Sequence, residues 1–228
     1  MKNQVIHMDM AALLPKAREA LAKASGFKDG NDKHRRMAQM AEEVLQKGKS
    51  TLRPCAVVSS YDNSVLSGDK AVLYETAFKC PAFARIEVDR VKKFYVFILT
   101  VGEVTADSDA VMDILYADMW GTAFADAAME ALSELLAKDA GAGSYMATFG
   151  PGFYSMDMST IPLIFDVLSG NAIGVEVHKQ SSCMIPLKSC AGFMVATDGA
   201  SALPPADCMS CVGNRGGCRL CKNNRDNL

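Results

Sequence analysis

The order of predicted elements places this chain in the α+β class, with a mostly antiparallel sheet and flanking helices. Three observations carry that reading. Helical spacing of apolar residues fills the N-terminal stretch and returns in a long segment over residues 108–140. Between them, Phe94-Tyr95-Val96-Phe97-Ile98-Leu99-Thr100-Val101 is β-branched or aromatic nearly throughout. Strands and helices do not alternate strictly, which argues against a doubly wound parallel sheet. Residues 1–202 are expected to form this domain, and residues 203–228 a separate cysteine-rich tail.

In chain order, the first helix is predicted over residues 9–25, with Asp9 as its cap and Leu13, Leu14, Ala17, Leu21 and Ala24 on one face. Gly26 stops it. A second helix runs from Asn31 to Lys47, its stripe made by Met37, Met40, Ala41, Val44 and Leu45, and Gly48 ends it. Lys33, His34, Arg35 and Arg36 sit in its first turn, the wrong end for the helix dipole, and read as a solvated face. Strand signals follow at Cys55–Val58, Ala71–Tyr74 (after a turn at Ser67-Gly68-Asp69), Ala84–Val88 and the run Phe94–Val101. The last is expected to be central and buried on both faces, ending at Gly102.

The long helix is predicted from Ser108 to Ala140. Met112, Leu115, Met119, Ala123, Ala127, Ala131 and Leu135 recur at helical spacing, and Trp120, Phe124, Ala128 and Leu132 widen the stripe. Its methionines and aromatics read as core packing rather than as a cofactor box. Gly141 and Gly143 end it. Ser159 caps a short helix with Pro162 in its first turn and Ile161, Ile164, Phe165 and Leu168 inward, stopped by Gly170. Strands at Ile173–Val177 and Ala191–Thr197 are expected to complete the sheet. Leu203-Pro204-Pro205-Ala206 reads as a stiff linker.

Half of the 228 residues are hydrophobic, enough to bury a sizeable core, and the formal net charge is −2. Near-balanced charge gives no bulk attraction to nucleic acid or to an anionic membrane. There is no apolar run of about eighteen residues, and the opening Met1-Lys2-Asn3-Gln4-Val5-Ile6-His7 lacks the apolar core of a signal peptide. A cytoplasmic location is expected, where the eight cysteines do not read as a disulfide framework.

Four of them lie together as Cys208-x2-Cys211-x6-Cys218-x2-Cys221. Each C-x2-C pair can place two thiolates on one metal, and the glycines between the pairs let the backbone fold round it. Four thiolates suit tetrahedral zinc or a 4Fe–4S cluster. Zinc ribbons usually put more residues between the pairs, and Arg215 and Arg219 offset thiolate charge, so the cluster is the first reading and structural zinc the alternative.

Elsewhere the chemistry is sparse. Gly150-Pro151-Gly152-Phe153-Tyr154 is an open turn followed at once by aromatics, fit for the floor of a small-molecule site or for a tight loop alone. Gly141, Gly143, Gly150 and Gly152 resemble a phosphate loop only loosely. Pro151 sits where a helix would have to start and no strand is expected just before, so a nucleotide-binding βαβ unit is not expected. His178 reads as a solvated loop histidine, and Cys183 and Cys190 as small hydrophobes. No Ser-His-Asp set assembles, and no self-contained catalytic constellation is seen.

Taken together, these segments resemble the activation domain of cobalamin-dependent methionine synthase, and more closely its free-standing relatives in anaerobic bacteria. Four features carry the resemblance: Leu99-Thr100-Val101-Gly102 before a helix holding Ala117-Asp118-Met119-Trp120-Gly121-Thr122-Ala123; the turn Gly150-Pro151-Gly152-Phe153-Tyr154; Ile173-Gly174-Val175; and Met184-Ile185-Pro186-Leu187-Lys188-Ser189-Cys190-Ala191-Gly192, which matches a Met-x-Pro-x-x-Ser-x-x-Gly segment. A cysteine-rich tail is similar to that of the stand-alone members.

The resemblance implies a C-shaped domain with a twisted antiparallel sheet that binds S-adenosylmethionine in a shallow groove. Here that groove would involve Gly150, Pro151, Gly152, Phe153, Tyr154, Met184 and Pro186. It further implies docking on a corrinoid protein or corrinoid methyltransferase, while an electron and a methyl group return cob(II)alamin to methylcobalamin. An electron donor would be a further partner. Two departures accompany it. Where the family carries a carboxylate-gripping arginine, this chain reads Met146-Ala147-Thr148, and its acidic Thr-Glu-Ser loop is replaced by His178-Lys179-Gln180-Ser181-Ser182. Two other readings stand beside this one: a binding or scaffold module with a zinc tail, and an iron–sulfur electron carrier for a different partner.

Overall fold

In the computed structural model the run from Phe94 to Val101 lies inside a twelve-residue strand at the middle of a five-stranded sheet. The structure describes residues 2–27, 30–106 and 108–204. The tail cysteines Cys208, Cys211, Cys218 and Cys221, with Pro205 and Ala206 of the expected linker, lie outside the described residues.

Strand β1 (Gln4–His7) leads into helices α1 (Met10–Ser25) and α2 (Asp32–Gly48). Asp9 caps α1 by accepting from the Ala11 amide, and Gly26 closes it in the left-handed conformation. Asn31 caps α2 by accepting from the amides of Lys33 and His34, and Asp32 pairs with Arg35 at 3.2 Å. The basic first turn is therefore tied down locally.

Strand β2 (Leu52–Tyr61) is followed by a small meander of β3 (Leu66–Ser67), β4 (Lys70–Leu73) and β5 (Thr76–Lys79). Then come β6 (Val91–Gly102), α3 (Val111–Asp139), β7 (Tyr145–Phe149), α4 (Thr160–Val167), a hairpin of β8 (Glu176–His178) and β9 (Cys183–Ile185), and β10 (Ser189–Thr197). The main sheet runs β1-β2-β6-β10-β7 with every neighbouring pair antiparallel. Antiparallel sheet and flanking helices are as the sequence predicts.

Side chains of β6 alternate between two cores. Tyr95, Phe97, Leu99 and Val101 pack under α1, α2 and α3, while Phe94, Val96 and Ile98 pack under the meander and α4. The helix layer is cross-braced: Trp120 Nε1 donates to the Ala41 carbonyl at 2.7 Å, and Lys16 meets Glu130 and Glu134 at 3.2 and 2.7 Å.

Several expectations are corrected. Residues 84–88 are not a strand. Pro81 opens a 3-10 turn to Arg85, another covers Val88–Arg90, and within 84–88 Ile86 is buried and Val88 partly so. Turn bonds from Ile86 to Phe83 and from Arg90 to Glu87, with the Glu87 amide donating to the Ala202 carbonyl, take the place of a ladder. Residues 173–177 do not join the main sheet, because Gly170–Ile173 is a 3-10 turn, Gly174 is left-handed, and Glu176–His178 pairs only with β9. The meander likewise forms its own sheet. The two edge strands β1 and β7 are new. Ser159 precedes α4 as expected, but its hydroxyl makes no capping bond.

On α3 the buried face is Tyr116, Trp120, Ala123, Phe124, Ala127, Ala128, Leu132 and Leu136. Met112, Leu115 and Leu135, expected inside, are 37%, 45% and 41% exposed. The helix is apolar over so much of its circumference that spacing alone does not select the seam. No helix among the described residues is long and apolar enough to cross a membrane.

This placement separates two leucines that look equivalent in sequence. Leu132→Ala empties a fully buried site and is expected to cost about 2–5 kcal/mol. Leu115→Ala is expected to stay within about 0.5 kcal/mol of the parent. Urea unfolding of the two variants measures the difference.

Candidate functional site

Strand β7 ends at Phe149, and the candidate turn begins at the next residue. The absence of a strand before Gly150 is thus corrected, although turns rather than a helix follow it. The Phe153 amide donates to the Gly150 carbonyl at 3.0 Å across Pro151 and Gly152. Gly152 has φ +87, and proline then positive-φ glycine is what a type II turn requires. A second loop closes on it, with Gly152 N–H donating to Met156 O and Met156 N–H to Phe153 O, both at 2.9 Å. Tyr154 and Ser155 are left-handed at φ +54 and +57. For a ring-bearing residue that conformation costs about 1 kcal/mol and must be held by its surroundings.

An aromatic stack supplies that hold. The Tyr154 ring lies 5.0 Å from Phe149, Phe149 lies 5.2 Å edge-on to Phe83, and Phe83 contacts Phe193 at 5.9 Å. Tyr154 is consequently half-buried against the second core, whereas Phe153 is 63% exposed. The turn presents Phe153 outward and uses Tyr154 as its anchor.

The second candidate segment arrives beside the first through β10. Phe193 pairs with Phe149 in the ladder. One step earlier, a Cβ on Gly192 would lie 2.4 Å from the Phe149 carbonyl oxygen and 3.3 Å from Gly150 Cα. Only glycine permits that approach. Met184 ends up packed on the same aromatic core as Tyr154. Ser189 Oγ donates to the Pro186 carbonyl at 2.6 Å and lies 2.8 Å from Thr100 Oγ1, which fixes the turn around Pro186 to β6. The structure therefore brings Gly150–Tyr154 and Met184–Pro186 to one end of the sheet.

The site is open. A depression of about 540 Å³ lies elsewhere, along Tyr61, Asp62 and Lys92, and one of about 380 Å³ lies between α4 and the β8–β9 hairpin, lined by Phe165, Gly170, Glu176 and Val177. Neither includes the candidate residues, but the second borders them, because Val177 pairs with Met184. On β7, Thr148 is exposed, and no guanidinium projects from Met146, Ala147 or Thr148.

The remaining candidates are quiet. His178 is exposed and its Nδ1 is 2.9 Å from Ser181 Oγ within its own loop. Burial and the Asp126 carboxylate push the Cys190 thiol up to about 12, which favours the protonated thiol at neutral pH. Among the described residues no group of three or more His, Cys, Asp or Glu is placed to hold a metal. Sequence reasoning missed the roles of β7 and Gly192. The available signal was the short alternation that puts Ala147 and Phe149 on one face.

Gly192→Ala drives a methyl into the Phe149 carbonyl and is expected to cost about 1–3 kcal/mol. Thermal unfolding checks it, and amide shifts at Phe149 and Gly150 should report the displaced edge strand.

No family model matches this chain, and no curated protein does. Among solved structures it is similar to the crystal structure of the MetH reactivation domain bound to AdoHcy, with a TM-score of 0.52 and 14% identity. The likeness covers 94% of this chain and 85% of that one. At this identity the likeness is one of fold, and it extends over nearly the whole chain: this protein is built on the fold of the MetH reactivation domain.

Proposed function

We propose that this protein docks on a corrinoid protein or corrinoid methyltransferase and supports the reductive return of cob(II)alamin to methylcobalamin, with S-adenosylmethionine as methyl donor. The observation that carries this reading is the fold likeness to a reactivation domain bound to AdoHcy over 94% of the chain. AdoHcy is what S-adenosylmethionine becomes once its methyl group has left. The ligand would lie across the open turn Gly150-Pro151-Gly152, against Phe153 and Tyr154, with Met184 and Pro186 as the opposite wall. Backbone exposed by glycine and a rigidly held aromatic suit an adenosyl ligand, whose ring stacks and whose polar edges bond to main chain.

Without a guanidinium on β7, the ligand's carboxylate lacks a bidentate partner there. Weaker binding than in a domain with that clamp follows. The same departure favours a second reading, in which the domain is a binding or scaffold module that does not use the methyl donor. In the first reading the four tail cysteines Cys208, Cys211, Cys218 and Cys221 would hold a 4Fe–4S cluster that relays the electron from a donor in the cytoplasm. In the second they would hold structural zinc. The donor set of four thiolates fits either.

Calorimetry with S-adenosylhomocysteine tests the ligand half. Measurable binding is expected, with perturbed resonances at Gly152 and Tyr154. Thr148→Arg, which restores a guanidinium on the exposed edge strand, should tighten binding about tenfold or more. No heat and no perturbation would remove the methyl donor from the scheme. Failure to bind a cob(II)alamin-loaded corrinoid protein would remove the docking role. Anaerobic reconstitution with iron and sulfide should yield a coloured, reducible protein, whereas a colourless protein holding one zinc would eliminate the cluster.

A further inference from the structure

Lys188 follows the second candidate segment by two residues, and neither charge pattern nor hydrophobic spacing marks it. Its stem lies on the middle of α3 at Gly121. A Cβ there would be 2.8 Å from Lys188 Cγ, 3.2 Å from Cε and 3.3 Å from Cδ. Glycine weakens a helix interior, so its presence in a 29-residue helix has a local reason: it makes the channel through which this side chain passes. The ammonium emerges between two residues of the same helix, 2.6 Å from Asp118 Oδ1 and 3.0 Å from Thr122 Oγ1. The backbone of Lys188 is held as well, its carbonyl accepting from the Val101 amide at 3.2 Å.

We infer that Lys188 is a positioning residue that pins the Pro186–Ser189 turn, one wall of the proposed groove, onto α3. This rests on the ligand reading above for its functional consequence, but not for its geometry. The pair with Asp118 is too exposed to add much stability, since the Asp118 side chain is 65% accessible. What the contact supplies is direction. The stem in the Gly121 channel, the two anchors at its tip and the Ser189 bonds to the Pro186 carbonyl and Thr100 leave the turn one position. A wall held in place before the ligand arrives loses less entropy on binding. Lys188 does not touch the ligand in this scheme. It acts through Pro186 and Met184.

The test uses the full chain and four variants: Lys188→Met, which keeps the stem and removes the ammonium; Lys188→Arg, which keeps a cation; Gly121→Ala, which blocks the channel; and the double variant of Gly121→Ala with Lys188→Met. Hydrogen exchange of the segment 183–189 and calorimetry with S-adenosylhomocysteine are the two readouts. Lys188→Met and Gly121→Ala are each expected to speed exchange of that segment and weaken binding roughly tenfold, with little change in melting temperature. The double variant should be no worse than Gly121→Ala alone, because a stem displaced from the channel no longer delivers its ammonium to Asp118 and Thr122, and Lys188→Arg should stay near wild type. The inference is overturned if Lys188→Met leaves exchange within about twofold of wild type, or if the two substitutions add independently. Should the wild type not bind S-adenosylhomocysteine at all, the ligand reading falls and the exchange data alone decide the role of Lys188.

Discussion

Burial of β6 on both faces is the constraint from which the rest of this structure follows. Seven consecutive side chains, Phe94 to Thr100, are almost wholly removed from water, and all but Thr100 are hydrophobic. Each large one contributes about 1.5–3 kcal/mol of transfer free energy, and none is satisfied unless a layer covers its side of the sheet. Three helices cover one side; the meander and α4 cover the other. Both edges of β6 must also find hydrogen-bond partners in this dry environment. β2 and β10 supply them, each antiparallel over most of its length. The outer edge of β10 is taken by the short strand β7.

The candidate site inherits its order from this arrangement. A left-handed tyrosine in an open turn would not hold its place alone. Here its ring leans on Phe149, Phe149 on Phe83, and Phe83 on Phe94 and Phe193, which belong to the central strands. Strain in the turn is thus balanced by packing several residues away. The opposite segment is tied to the same strands by different chemistry: hydroxyl bonds from Ser189 and the passage of Lys188 over α3. Both segments are thus held to the sheet, and Met184 and Tyr154 share one aromatic core.

The electrostatics of the site are muted. Formal net charge is small, the Lys188 cation is matched by Asp118, and the Cys190 thiol remains neutral. This end of the sheet therefore offers exposed backbone and aromatic surface more than charge. That is compatible with the shallow groove implied by the resemblance, and with a ligand or partner that brings its own charge.

Strong local signals determined much of the outcome. The cap Asp9, the stop at Gly26 and the β-branched run of β6 were all legible, because each depends on neighbours a few residues away. Other features were decided only by tertiary contacts. Residues 84–88 carry strand-like side chains but fold as turns, with the Glu87 amide bonded to the Ala202 carbonyl. The seam of α3 was set by the sheet beneath it rather than by a helix apolar on several sides. β7 is too short to announce itself, yet it places Phe149 and the turn. The identity of Gly192 and of Gly121 could be read from the chain, but their purpose could not: each glycine exists for an atom far away in sequence, the Phe149 carbonyl in one case and the Lys188 stem in the other. Sequence periodicity records what a residue does for its own element, and a close approach between elements leaves no periodic trace.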